Sequence, residues 1–354
     1  MYSEADLQSA VAAGAISHDA AEALRAHAAG MRAAPSADEE HFRLITGFND
    51  IFVTIAAVLL LVAAAGIGNA IAPGVPGLLI AGAAWMLAEF FTRKRRMALP
   101  SIVLLLAFVG GVAAIPIEII DSTRPHFSNT ASALIGAGIG LVAAAAAYVH
   151  WRRFMVPITV AAGAAGLAVT TIALAVSGLM AANADTDPEP YLLPLVFLAG
   201  IAVFAVAMRW DMSDPARETR RSDVAFWLHL LAAPMIAHPL FHWLGVSDGE
   251  NIGAASAVGV LAVYVLMGMV ALAVDRRALL VSALAYVLLA LTWLFREFGM
   301  VELNVAVTGL VIGSALLALS AFWSPIRAAL VARLPGSLQG RLPGGMPVHL
   351  AVQA

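Results

Sequence analysis

The 354-residue chain has no cysteine, one lysine and few charges of either sign, with only 12% of its residues Asp, Glu, Lys or Arg. Each shortage excludes something. Without cysteine there is no disulfide, no thiolate metal site and no cysteine nucleophile. With 20 basic against 23 acidic residues and a net charge of -3, the chain carries no basic patch for nucleic acid, so no nucleic-acid partner is expected. The signatures of common chemistry are missing as well. The sequence holds no HExxH pair, no Walker phosphate loop, no GxGxxG dinucleotide unit and no DxDxDG calcium loop. No polar stretch is long enough to house an enzyme site, so any catalysis would take place within the apolar part.

The apolar part dominates. Apolar residues make up 61% of the chain and its mean hydropathy is +0.88, whereas soluble domains carry about 45 to 50% apolar and about 25% charged residues. Such a chain needs lipid as its solvent. A run of about 20 apolar residues, rising 1.5 Å each, crosses a hydrocarbon core of about 30 Å. Ten such runs are present, at 48–72, 75–92, 98–120, 130–149, 154–182, 191–208, 224–245, 252–274, 278–299 and 302–323. None alternates polar with apolar as barrel strands do, so helices are expected throughout. The expected fold is all-α: a polytopic bundle of about ten spans over 48–323. A cytoplasmic helical module precedes it over 1–47, and a mostly disordered cytoplasmic tail follows over 324–354.

Basic residues in short connections stay on the cytoplasmic side. Here they occupy alternate connections: Arg93 to Arg96; Arg152 and Arg153; Arg209, Arg217, Arg220 and Arg221; Arg276 and Arg277; then Arg327, Arg333 and Arg341. The opposite side holds only Arg124 and Arg296, and collects Glu118, Asp121, Asp185, Asp187, Glu189, Asp248, Glu250, Glu297 and Glu302. Both termini are therefore expected in the cytoplasm of a bacterial inner membrane, with an acidic outer rim. Arginine pairs also open a weak echo, RRMALPSIV, RRFMVPITV and RRALLVSAL. It reads either as a string of in-out-in hairpins or as the ordinary look of a basic turn followed by a span.

The first 47 residues are polar and lack a signal-peptide pattern. A helix near residues 3–12 is expected to end at Gly14, with Ser17 capping a second through about Met31, and Ser36 with Glu39 framing a third. Within this stretch EADLQSAVAAGAISHDAAEALRAH, an LxxAVxxGxIsxxxAxxL pattern ahead of many spans, resembles the N-terminus of the bacterial membrane-protein family known as domain-of-unknown-function family 2157. The resemblance implies a short cytoplasmic module before a bundle, and supplies no activity or site residues. The module is too short to bury its own core, so it is expected to pack on the bundle, on a second copy, or on a protein partner.

The seventh run, VAFWLHLLAAPMIAHPLFHWLG, concentrates candidate chemistry. Pro234 and Pro239 each remove a backbone donor, so a kink or opening is expected there, with the freed carbonyls facing protein or a water-filled cavity. His238 and His242, four residues apart, share a face and are candidates for metal or haem ligation or proton acceptance, or are interfacial residues beside Phe241 and Trp243. His229 is read as a neutral histidine hydrogen-bonded to a neighbouring helix. Glu118 and Asp121 form a candidate cation site or a solvated helix end. Arg296, beside Glu297 at the outer rim, is read as an ion pair with the neighbours of Glu297 or with Glu118, or as binding an anionic substrate group. Glu89 pairs with Arg93, Asp50 caps its span, and Gly136 with Gly140 and Gly309 with Gly313 are close-packing GxxxG seams.

Three functions fit. The first is a permease-like protein binding or moving a small solute or cation through His238, His242, Glu118, Arg296 and Glu297. The second is a non-catalytic scaffold or regulator docking a partner through residues 1–47. The third is a haem- or divalent-metal-binding protein using His238 or His242 with His126. No cofactor is predicted outside the third.

Overall fold

In a computed structural model of the chain, the described residues are 4–24, 48–123, 127–182, 187–215, 217, 219–245, 254–297, 304–339 and 342. Among them every regular element is helical. The chain divides into two compact units, Met1–Phe42 and Arg43–Ala354.

In the first unit α1 spans Glu4–Ala12. Gly14 follows at φ +70°, a left-handed conformation that costs glycine nothing and ends the helix. Ser17 Oγ then accepts from Ala20 N at 3.1 Å and starts α2 over 18–24, as the cap reading requires. The third helix framed by Ser36 and Glu39 lies outside the described residues.

The second unit begins with ten helices at the ten apolar runs: α3 (Phe48–Asn69), α4 (Val75–Ala88), α5 (Ala98–Thr123), α6 (Asn129–Phe154), α7 (Ile158–Ala182), α8 (Glu189–Met212), α9 (Arg220–Trp243), α10 (Ala254–Val274), α11 (Ala278–Glu297) and α12 (Asn304–Ala321). Among the described residues, eight helices, α3 to α10, are long and apolar enough to cross a membrane, α4 through its π-helical continuation to Lys94. The apolar part of α12 reaches that length only together with α13 (Trp323–Val331), bent from it by 71°. Large apolar side chains line the outside: Phe52, Leu59 and Val62 of α3 are each more than 60% exposed. In water that surface would be an aggregation liability; in a multi-pass membrane protein it meets lipid.

Each helix beside these arginine turns packs most extensively on the helix across its turn: α4 with α5, α6 with α7, α8 with α9, and α10 with α11. These hairpins are offset by one helix from the in-out-in units suggested by the sequence echo. Each basic turn contains one non-glycine residue in the left-handed region, namely Arg96, Met155, Arg217 and Asp275, at φ between 53° and 61°. In two of the turns the helix end closes with backbone bonds reaching five or six residues back, Arg95 N to Phe90 O and Met97 N to Phe91 O in one and Arg276 N to Ala271 O in the other. Such closure leaves few orphan carbonyls and returns the chain sharply into the bilayer.

Close backbone approach draws two hairpins together. A Cβ on Gly77 would stand 2.5 Å from Gly111 O, and one on Gly140 would stand 2.7 Å from Thr170 Oγ1 and 2.8 Å from Gly166 O. Only glycine fits there. Of the two GxxxG pairs, Gly140 lies in a seam, whereas Gly136 meets nothing nearer than Ala173 Cβ at 3.9 Å. Gly309 and Gly313 meet nothing within 4 Å among the described residues, so the second expected seam is not formed there.

Candidate functional site

The proline-bearing α9 is assigned as one helix from Arg220 to Trp243, through both Pro234 and Pro239. The expected opening is not present in that assignment, because neighbouring packing holds the helix where the local hydrogen bonds are lost. Pro239 is buried and Pro234 exposed. His238 and His242 both lie exposed, their rings 6.5 Å apart. The His238 Nδ1 atom is 2.6 Å from the Tyr286 hydroxyl of α11, and Tyr286 stacks on the buried Phe241 ring at 4.5 Å. This corner holds α9 on α11. Among the described residues no group of three or more His, Asp or Glu side chains is placed to hold a metal ion. His126 lies outside the described residues, as do the side chains of Arg296 and Glu297 at the end of α11.

Glu118 reaches from α5 to the start of α4. Its Oε2 accepts from Gly74 N at 3.0 Å and Gly77 N at 3.4 Å, filling the orphan donors at the start of α4. Gly74, at φ +86°, precedes that helix without a side-chain cap of its own, so a carboxylate from α5 supplies it and meets the positive helix end. Glu89 takes Arg93 at 3.2 Å, as its spacing predicts, and also receives Arg153 of α6 through Nε at 2.6 Å and NH2 at 3.0 Å. Asp50 is buried at the start of α3.

A cluster of buried charge lies at the arginine-turn ends of α8 to α11. Asp211, in the last turn of α8, is 0% exposed, His229 of α9 is 0% and Arg276 is 2%. The guanidinium of Arg276 grips both Asp211 oxygens, through Nε at 3.1 Å and through NH2. That NH2 also donates to Ser222 O at 3.1 Å and Ser222 Oγ at 3.0 Å. His229 Nε2 lies 2.9 Å from Asp211 Oδ2, which is the neighbouring-helix hydrogen bond expected of it. The other ring nitrogen, Nδ1, is buried with no partner among the described residues. Phe204 closes the site edge-on, its ring centre 5.2 Å from the imidazole.

A second layer adjoins this triad. Asp275 receives Arg217 NH1 at 2.9 Å and Trp323 Nε1 at 2.7 Å, and Arg327 stands 3.6 Å away. Arg217 NH2 donates further to Asp275 O at 3.0 Å. Burial, with the like charge of Arg276, holds the Arg217 guanidinium below its ordinary value, opposed by Asp275 and Asp211. Asp214 accepts from Thr219 N at 2.9 Å and Oγ1 at 2.6 Å, fixing the turn between α8 and α9. The result is a buried, alternately charged chain joining α8, α9, the turn before α11, and α13.

The arrangement can do two things. A carboxylate that contacts both an imidazole and a guanidinium can exchange a proton with the imidazole while the fixed arginine charge stabilises the anion. Because the groups come from separate helices, changing one charge also changes how those helices hold together. Asp211 and Asp275 were not singled out from the sequence, where they sit among arginines in short turns. An acid inside an otherwise basic turn beside an apolar helix end is the signal that marks them. No family model matches the chain, and neither a curated protein nor a solved structure matches it.

Proposed function

We propose that this is a ten-span bacterial inner-membrane protein with both termini cytoplasmic, a permease-like carrier of a small solute or cation. It uses Asp211 and His229 as its protonatable pair. The observation that carries this reading is the complete burial of Asp211 and His229 against Arg276 within apolar helices. Ionisable groups in membrane-crossing segments are costly and mark ion or proton pathways by default. His229 is nine residues into α9 and five past the start of its apolar run at Val224, roughly 8 Å inside that run at 1.5 Å per residue. A buried ion pair is a poor source of stability compared with apolar packing, which favours a working role for this one. The exposed His238 and His242 pair and the capping Glu118 are less suited to that role.

The test uses the full chain in liposomes enclosing a pH-sensitive dye, under an inward-directed potential. The outer buffer holds Na+, K+, Mg2+, or a mixture of amino acids and sugars. Protein-dependent proton entry is expected with at least one of these, and it is lost in His229→Gln while the gel-filtration profile is unchanged. Proton entry no faster than in empty vesicles under every condition contradicts the reading.

A further inference from the structure

A cavity of about 190 Å³ opens between α10, α11, α12 and the start of α13, lined by Tyr264, Arg277, Leu280, Leu284, Leu316, Leu319, Ser320 and Trp323. Its residues are ordered by depth. Arg277 stands just before α11, Ser320 in the last turn of α12, and Trp323 at the start of α13, so these three surround the end at the arginine turn. Leu280 and Leu284 lie successively further along α11, Leu319 and Leu316 successively further back along α12, and Tyr264 ten residues before the end of α10. The space is polar and cationic at one end and almost wholly apolar beyond it. Arg277 is held at that end, its guanidinium 5.0 Å from the centre of the Trp323 ring. Trp323 is itself fixed through its indole N–H to Asp275.

We infer that this cavity binds one anionic phospholipid of the surrounding bilayer, with the phosphate at Arg277 and Ser320 and an acyl chain along Leu280, Leu319, Leu316 and Leu284. Three features carry it. Beyond the mouth the lining is leucine side chains with the single hydroxyl of Tyr264, a match to a hydrocarbon chain. The mouth offers a guanidinium and a hydroxyl, the pair suited to a phosphate oxygen. The mouth is also at the level where headgroups lie, because α13 turns 71° away from α12 at this point and an indole sits there, as at membrane interfaces generally. Basic pockets between crossing helices on the cytoplasmic side take anionic headgroups by this same complementarity. A bound lipid would press on Trp323 and through it on Asp275, coupling lipid composition to the buried network.

The experiment is native mass spectrometry of the purified full chain, titrated in detergent with dioleoyl phosphatidylglycerol, dioleoyl phosphatidylcholine or oleate. One phosphatidylglycerol per chain is expected to bind at least ten-fold more tightly than phosphatidylcholine. Arg277→Gln removes that preference and Arg277→Lys retains most of it. Leu316→Trp, which fills the apolar part, weakens the single high-affinity adduct while gel filtration and helical content stay as in the wild type. Equal binding of the two phospholipids, a preference unchanged in Arg277→Gln, or tight binding of oleate in place of phosphatidylglycerol overturns the inference.

Discussion

Replacing Asp211 by Asn is the sharpest probe of the buried network. The substitution keeps size and one acceptor oxygen but removes the charge that Arg276 grips at both oxygens and that His229 Nε2 contacts. Arg276 is then a buried cation without its counterion, and breaking a buried pair in this way costs about 3 to 5 kcal/mol. Ser222 O and Oγ still receive its NH2 group, which places the expectation at the lower end, about 3 kcal/mol. Removing both charges in Asp211→Asn/Arg276→Gln eliminates the stranded cation. The two changes are therefore expected to be non-additive, the double variant losing less than the sum of the two single variants by about 0.5 to 3 kcal/mol, the usual coupling energy of contacting residues. Unfolding in mixed micelles titrated with dodecyl sulfate, followed by the fluorescence of the seven tryptophans, measures all members of the cycle. A loss below about 1 kcal/mol in Asp211→Asn, within the range of an exposed pair, or strict additivity in the double variant, refutes the claim that these charges are desolvated and coupled.

Three further outcomes follow from the geometry. Glu118→Ala should lower stability by about 0.5 to 2 kcal/mol, the value of a helix cap. Glu118→Gln should lose much less, because it keeps an acceptor for Gly74 N and Gly77 N; the same micelle titration reads both. Gly140→Ala and Gly166→Ala should each cost about 1 to 3 kcal/mol, since the added Cβ meets backbone under 3 Å away and the helices must part. Gly136→Ala and Gly309→Ala should be near neutral. His238→Ala and His242→Ala should leave protein-dependent proton entry into liposomes at the wild-type rate, because both rings lie on the exposed side of α9.

Apolar run length and arginine placement identify the helices and their turns, because hydrocarbon thickness and headgroup charge act on the chain locally. Residue 118 shows where that reasoning stops. A glutamate one turn before an aspartate looks like a cation site, yet its partners are the amides of Gly74 and Gly77, more than forty residues earlier, and backbone donors leave no trace in side-chain patterns. Asp211 and Asp275 were hidden for a related reason: in an arginine-rich turn an acid reads as ordinary solvated charge, and only tertiary packing shows that Arg276 and Arg217 fold inward onto them. The two prolines of α9 carry only a local cost in the sequence, whereas the helix is set by the packing around it. His229 was legible, since a histidine in an apolar run needs a neighbouring helix as partner, but the identity of that partner was not.

The measurement that bears most directly on the central claim uses the absence of cysteine, which makes the native chain its own background for single-cysteine labelling. Arg95→Cys, Arg152→Cys and Arg221→Cys probe the arginine turns, and Ser122→Cys and Asp187→Cys probe the opposite ends. With a membrane-impermeant maleimide applied to intact spheroplasts, the account predicts labelling at 122 and 187, and labelling at 95, 152 and 221 only after permeabilisation. Labelling at the arginine turns in intact spheroplasts contradicts it.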